Sequence, residues 1–333
     1  MFFKPQILIA VFLSWTLVAQ ANTKSAGNEP PLVIEMVTVG NPGNANDIPI
    51  NGTGYGGVPY TYKIGKYEVT NDQYVLFLNA VAATDPNGLY NLSMVGSNAR
   101  CGITRSGSSG SYTYAVKANM GNKPVNVVTW YDAVRFCNWL HNGQPTGAQD
   151  ATTTEDGAYT IIAEVYPDTV ITRKAGAKYF IPTENEWYKA AYYSLDDGDG
   201  SPGYWLYPTQ SDAAPTIATA ATANATGDIS NPGLNVANFN RGADWNGLDG
   251  NVTTVGSAGA ASASYYGTYD MGGNVCEWNE GFGPTATRSV PGRCVRGGSW
   301  SLNKRDMQSS IWFLLHPPWG MTNSSGFRVA SPF

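Results

Sequence analysis

Charged side chains are scarce in this chain: Asp, Glu, Lys and Arg make up 14% of 333 residues, against about 25% in ordinary globular proteins. That scarcity excludes a charged disordered tail and a solvated coiled coil. Histidine is scarcer still. Only His141 and His316 occur, which rules out any site built on three imidazoles. The 20 Lys and Arg form no cluster and the formal net charge is −5, so no nucleic-acid partner is expected. No apolar run is long enough to span a bilayer, so no transmembrane anchor is expected either. Aromatic residues, by contrast, are plentiful, with 10 Trp and 20 Tyr, while 38 Gly and 20 Pro break the backbone often. This mixture describes a loop-rich globular protein with an aromatic core, not a helical bundle or a collagen.

The N-terminal segment has the pattern of an export signal. Lys4 provides a positive start, Ile7 to Val18 an apolar stretch, and Ala19-Gln20-Ala21 a small-x-small cleavage site. Residues 1–21 are therefore expected to be a signal peptide, with residues 22–333 as one domain. Losing Lys4 takes the formal net charge from −5 to −6. No cysteine precedes Cys101, so the cleavage site offers no thiol for a lipid anchor. The expected location is periplasmic or extracellular, and there disulfides can form.

Along the remaining chain, residues 33–39 alternate like an opening strand, and Tyr60 to Val69 reads as a second. Three helices are signalled by their caps. Thr70 with Gln73, Thr129 with Asp132 and Thr183 with Glu186 have capping-box spacing. Apolar stripes follow each cap: Tyr74, Phe77, Leu78 and Val81; then Ala133, Phe136, Cys137 and Leu140; then Trp187, Ala190 and Ala191. A hairpin is expected within 142–178, with Tyr159 to Val165 as one strand. Residues 194–234 lack any period and read as a long surface loop. From 252 onward strands return, separated by glycine. A few helices among short strands and irregular backbone predict one α+β domain.

Six segments in order resemble the sulfatase-modifying-factor family, whose founding activity is the formylglycine-generating enzyme. They are Gly65 to Tyr74, Pro124 to Ala133, Phe180 to Trp187, Tyr269 to Trp278, Arg296-Gly-Gly-Ser-Trp300 and Gly326-Phe-Arg328. The resemblance covers roughly residues 33–330. It implies a variant of the C-type-lectin fold, with short twisted antiparallel strands, few helices and much irregular loop. In the enzyme, two cysteines after the Gly-Gly-Ser-aromatic motif bind copper(I), for which thiolates are suitably soft ligands. In this chain those positions fall on Leu302 and Met307, so copper is not expected. Ser299 and Trp278 match other positions that line the enzyme's active site. The iron-dependent, sulfoxide-forming relatives need three histidines and an extra helical domain, and this chain has neither.

The resemblance also implies structural Ca2+. One site matches Gly272, Gly273, Val275 and Glu277, with Glu277 as its side-chain ligand. A second matches Asn238, Phe239, Asp249 and Asn251, where Asn238 and Asp249 offer side-chain oxygens suited to a hard cation. The bland alternative for Glu277 is that it satisfies backbone N–H groups in a buried turn. A disulfide is expected between Cys276 and Cys294, on what the family implies are sequential antiparallel strands, with Cys137 a small buried hydrophobe. In some relatives the counterpart of Cys137 pairs with a cysteine after Gly-Phe-Arg; here that place is Val329.

The segment between Gly-Gly-Ser-Trp and Gly-Phe-Arg is unusually apolar, with Ile311, Trp312, Phe313, Leu314, Leu315 and Trp319. Two readings of it stay open: a buried strand, or an aromatic recognition face made by Trp300, Trp312, Phe313, His316 and Trp319. The same placement resembles the diversified ligand face of variable lectin-like proteins from diversity-generating retroelements. The functional expectation is an exported, non-catalytic module binding a protein, peptide or glycan. The alternatives are a sulfatase-activating formylglycine oxidase, another enzyme using a non-cysteine site, or such a variable binding protein.

Overall fold

Each helix begins at a threonine whose hydroxyl accepts from the N3 backbone while the N3 side chain accepts from the threonine N–H. The computed structural model describes residues 30–48, 54–95, 99–161, 170–220, 226–284, 291–311 and 316–333. The expected signal peptide, Trp312 and Phe313 lie outside the described residues. Within the unit Leu32–Phe333, all three expected capping boxes are formed. A cap of this kind contributes about 1 kcal/mol.

In chain order the unit contains β1 (Met36–Val39), β2 (Tyr62–Gly65), α1 (Asn71–Val81), β3 (Ile103–Ser106), β4 (Thr113–Val116), α2 (Trp130–His141) and α3 (Glu184–Tyr192). There follow β5 (Tyr193–Ser194), β6 (Gly203–Tyr204), β7 (Thr216–Ile217), β8 (Val236–Ala237), β9 (Cys276–Pro284), β10 (Pro291–Arg296), β11 (Ser325–Phe327) and β12 (Ala330–Pro332). Two three-stranded sheets carry the architecture, β1-β2-β12 and β10-β9-β11. Both use C-terminal strands. β12 pairs antiparallel with β2, whereas β11 lies parallel to β9. Two antiparallel pairs, β3-β4 and β5-β6, and one parallel pair, β7-β8, complete the α+β fold.

The helices bury the stripes their sequences announced. Tyr74 and Phe77 of α1 meet Phe136 of α2 at centroid distances of 6.0 and 5.4 Å, and Phe136 meets Phe327 of β11 edge-on at 5.4 Å. Such pairs contribute about 0.5–1.5 kcal/mol beyond their buried area. Cys137 lies in this core, fully buried.

Two expectations need correcting. Tyr159 to Ile161 join no ladder beyond an isolated bridge between Asp156 and Thr160, while 162–165 lie outside the described residues. The backbone of Tyr159 is satisfied by a side chain instead: its N–H donates to Asn138 Oδ1 at 2.8 Å, and Asn138 Nδ2 donates to its carbonyl at 3.0 Å. The stretch 194–234 is no mere surface loop. It contributes β5, β6 and β7, and buries Tyr207, Ala218 and Ile229.

Asp132 links the α2 cap to pH. Burial raises its carboxyl from 3.8 to about 7, against hydrogen bonds from Thr129 that lower it. A folded-state value above the unfolded one means the fold holds this proton more tightly. The stability it contributes is complete below about pH 4 and is lost as pH rises towards 7. Asp132→Asn keeps an acceptor for the Thr129 N–H but cannot ionise. Urea unfolding from pH 4 to 8 should show the variant gaining on the wild type by an amount on the order of a few kcal/mol; parallel pH profiles would contradict this.

Candidate functional site

The Tyr269-to-Trp278 segment, the Gly-Gly-Ser strand and the Gly-Phe-Arg strand converge on one buried ion pair. Glu277, the second residue of β9, is fully buried, and so is Arg328 between β11 and β12. Arg328 Nε donates to Glu277 Oε2 and Nη2 to Oε1, both at 2.6 Å. Trp187 Nε1 adds a third bond to Oε2 at 2.7 Å. The guanidinium also donates to the carbonyls of Gly65 at 2.9 Å and Tyr269 at 2.8 Å. Both charges are thereby desolvated and fully bonded, the condition under which a buried pair is tolerated. A second pair lies nearby: Arg296 Nε donates to Glu184 Oε1 at 2.6 Å, and its Nη1 to Ile311 O at 2.6 Å. This fastens α3 to β10 and to the start of the apolar segment.

At the positions of the family's copper ligands the chain is apolar. Met307 is fully buried beside Tyr207, Ala237 and Phe239, and Leu302 packs against the main core. Ser299 is buried, its hydroxyl 3.2 Å from Ser301 Oγ. The expected bridge between Cys276 and Cys294 is not formed, and the strand register explains why. Val295 pairs with Trp278 and Arg293 with Phe282, so β9 bulges opposite Cys294. A Cβ at Gly281 would meet Cys294 Cβ at 2.8 Å, five residues up the strand from Cys276. Even with the bulge, that offset at about 3.3 Å per residue far exceeds disulfide reach. Burial raises the Cys276 thiol to about 12 and pushes Cys137 and Cys294 well above the usual range. Thiols so placed are inert.

The donors expected for calcium are arranged differently from the expectation. Glu277 accepts three side-chain hydrogen bonds, two of them from the Arg328 guanidinium and one from Trp187, and not the backbone N–H groups of a turn. Asp249 is turned outward, its side chain 76% exposed and paired with Arg241 at 3.0 Å. Phe239 O accepts from Gly242 N, and Asn251 Oδ1 from Val252 N at 2.8 Å. Asn238, however, is buried and its Oδ1 has no partner. Gly273 has φ +86, and a Cβ there would strike Asn238 O at 2.3 Å, so only glycine lets the loop pass. Glu68, absent from the sequence-based site, is also buried with Oε1 unpartnered. Burial raises its carboxyl far above the usual range, with Asp270 and Glu277 adding to the effect. Its sequence signal was its place inside the Gly65-to-Tyr74 segment.

The expected aromatic face divides. Trp300 is 4% exposed, packed with Met120, Trp245 and Val252, and its Nε1 donates to Asn323 O at 3.1 Å. It belongs to a core cluster, not to a recognition surface. His316 is half-buried, its ring edge-on to Trp278 at 6.1 Å, and burial lowers its pKa. Trp319 is 43% and Met321 38% exposed. Their turn is held at both ends: Arg293 and His316 exchange backbone bonds at 2.8 and 2.9 Å, Trp130 N donates to Pro318 O at 3.0 Å, and Val127 N to Thr322 O at 3.0 Å.

This geometry defines a class first: an α+β platform of the C-type-lectin type in its sulfatase-modifying-factor form, presenting a braced C-terminal turn. A profile described as the sulfatase-modifying factor enzyme 1-like domain matches residues 58–332, and the chain belongs to that family. It is similar to the chaperone protein LppX of Paenibacillus barcinonensis, at 27% identity over 192 residues, 54% of this chain and 59% of that protein. The chain thus spans about three fifths of that curated relative's length. Among solved structures, CarF has 20% identity and a TM-score of 0.50, covering 91% of this chain and 99% of its own. Treponema denticola variable protein 1 has 20% identity and a TM-score of 0.48, covering 90% and 95%. Among the described residues no helix is long and apolar enough to cross a membrane.

Removing one partner of a buried ion pair costs about 3–5 kcal/mol, because the other charge is left unpaired. Glu277→Gln and Arg328→Met should each destabilise by that order, and the double variant by less than their sum. Chemical denaturation in a double-mutant cycle measures this. Strict additivity would show that the pair does not act as a unit.

Proposed function

We propose that the chain is an exported, non-catalytic binding protein that uses the sulfatase-modifying-factor scaffold to present the braced turn 316–322 to a polypeptide ligand. The observation that carries this reading is at the family's copper positions. Leu302 and Met307 are packed against core residues there and supply no thiolate, which oxygen activation by copper(I) requires. The turn supports the binding half of the reading. An exposed Trp beside an exposed Met provides large contact area for little rotamer entropy. The name of the similar LppX, a chaperone protein, favours a polypeptide over a glycan. Structural Ca2+ belongs to the same reading, as a stabiliser with no part in chemistry.

Two experiments test this. The mature chain, given copper(I), oxygen and a sulfatase-type cysteine peptide, should leave the thiol unchanged by mass spectrometry; turnover would restore the oxidase reading. Immobilised protein should enrich apolar peptides from a displayed library, and Trp319→Ala should weaken their binding about tenfold or more while shifting stability by under about 0.5 kcal/mol. Selective retention on a glycan array, with no peptide enriched, would assign the turn to carbohydrate instead.

A further inference from the structure

Sulfur is almost wholly internal in this chain. Cys101, Cys137, Cys276 and Cys294 are all buried, and burial keeps the last three protonated and unreactive. Met94, Met120, Met271 and Met307 are at most 2% exposed, and Met36 packs against the main core. Met321 differs. At 38% exposure it is the one sulfur among the described residues that stands out in solvent, and it lies next but one to Trp319 on the turn read above as the ligand face.

The shape of that turn owes nothing to the Met321 side chain. Main-chain bonds set it, from Gly320 N to Pro317 O at 2.7 Å, Trp130 N to Pro318 O at 3.0 Å and Val127 N to Thr322 O at 3.0 Å. Asn126 Nδ2 adds a bond to Asn323 O at 2.9 Å. The bracket itself is stiff. Val127 is buried at φ +58, the one β-branched residue with positive φ among the described residues, and so costly a conformation persists only where the surroundings enforce it. Chemistry on the Met321 thioether therefore alters the ligand face without remaking the turn.

We propose that Met321 is an oxidation site that switches ligand capture off. Hydrogen peroxide transfers one oxygen to the thioether: the S=O bond forms as the O–O bond breaks, sulfur gives up two electrons, and the other oxygen leaves as water. The sulfoxide is polar where methionine was apolar, so it interrupts the contact surface beside Trp319. A methionine sulfoxide reductase with a thiol reductant reverses the step. This switch rests on the binding reading of the turn and gives it a regulator.

The test treats the mature chain with hydrogen peroxide, maps the product by peptide mass spectrometry, and measures capture of the apolar peptides enriched from the displayed library. A gain of about 16 Da, one oxygen, should come at Met321 before any other methionine. Binding should weaken about tenfold while the melting temperature moves by less than about 1 °C, and the reductase should restore it. Met321→Leu, compared with its own untreated form, should lose nothing on treatment. Met321→Gln, polar like the sulfoxide, should bind as weakly as oxidised wild type without treatment. Oxidised wild type that binds as before, or Met321→Leu that loses as much as wild type, overturns the switch and leaves the binding reading standing. Oxidation that starts at a buried methionine, with a fall in melting temperature, overturns it too. If untreated wild type captures no peptide, the binding reading falls and the switch with it.

Discussion

Five parts of the chain are fastened to one another through the Glu277–Arg328 pair. Glu277 lies near the start of β9, Trp187 brings α3 to it, and Arg328 carries the chain from β11 into β12 while holding the carbonyls of Gly65 and Tyr269. The two three-stranded sheets share no strand, and this contact joins them together with the bond from Val69 N to Phe327 O at 2.9 Å. A hydrophobic pair at the same place would pack as well and cost less desolvation. What it would lack is direction: a guanidinium with fixed donors sets the rotation of Arg328 and the separation of the two sheets.

The same logic appears throughout the molecule. Charge is scarce, and much of it is internal. Arg296 with Glu184, and Arg135 with Glu155 at 2.8 Å, fix helices where a loop-rich chain has little sheet to hold them. Backbone polar groups are handled by side chains instead of ladders, as at Asn138, whose amide replaces a strand for Tyr159. Asn71 does likewise, donating to Met120 O at 2.9 Å and Lys123 O at 3.1 Å. In a fold with this much irregular backbone, asparagine takes over the hydrogen bonds that neighbouring strands supply elsewhere.

The helices were readable because each cap and stripe lies within about a dozen consecutive residues. The family, too, was readable, from six short segments in order. Features built from distant residues were not. Pairing Cys276 with Cys294 ignored a bulge that only the register of β9 and β10 discloses. Trp300 was grouped with the aromatic residues of the C-terminal segment as a recognition face, but its burial is supplied by Met120 and Trp245, far away in the chain. Glu277 was read for its own oxygens, and the residue that claims them lies 51 positions onward. Asp249 was aligned to a ligand position, yet Arg241 draws it outward. The disulfide and Trp300 readings failed for one reason: a local pattern names the residue types, and a distant partner decides their use.

Both sheets are completed by residues 325–332, which follow in the chain every strand they pair with. The Arg328-to-Gly65 bond closes a loop of 263 residues, and the parallel pairing of β11 with β9 cannot form by a simple hairpin. Contacts of such long range make folding slow and late. Until residues 325–332 emerge from the ribosome, β2 lacks β12, Glu277 lacks its counter-charge, and Phe136 lacks the ring of Phe327. A growing chain of this design has helices and an aromatic cluster but neither three-stranded sheet complete until residues 325–332 are added.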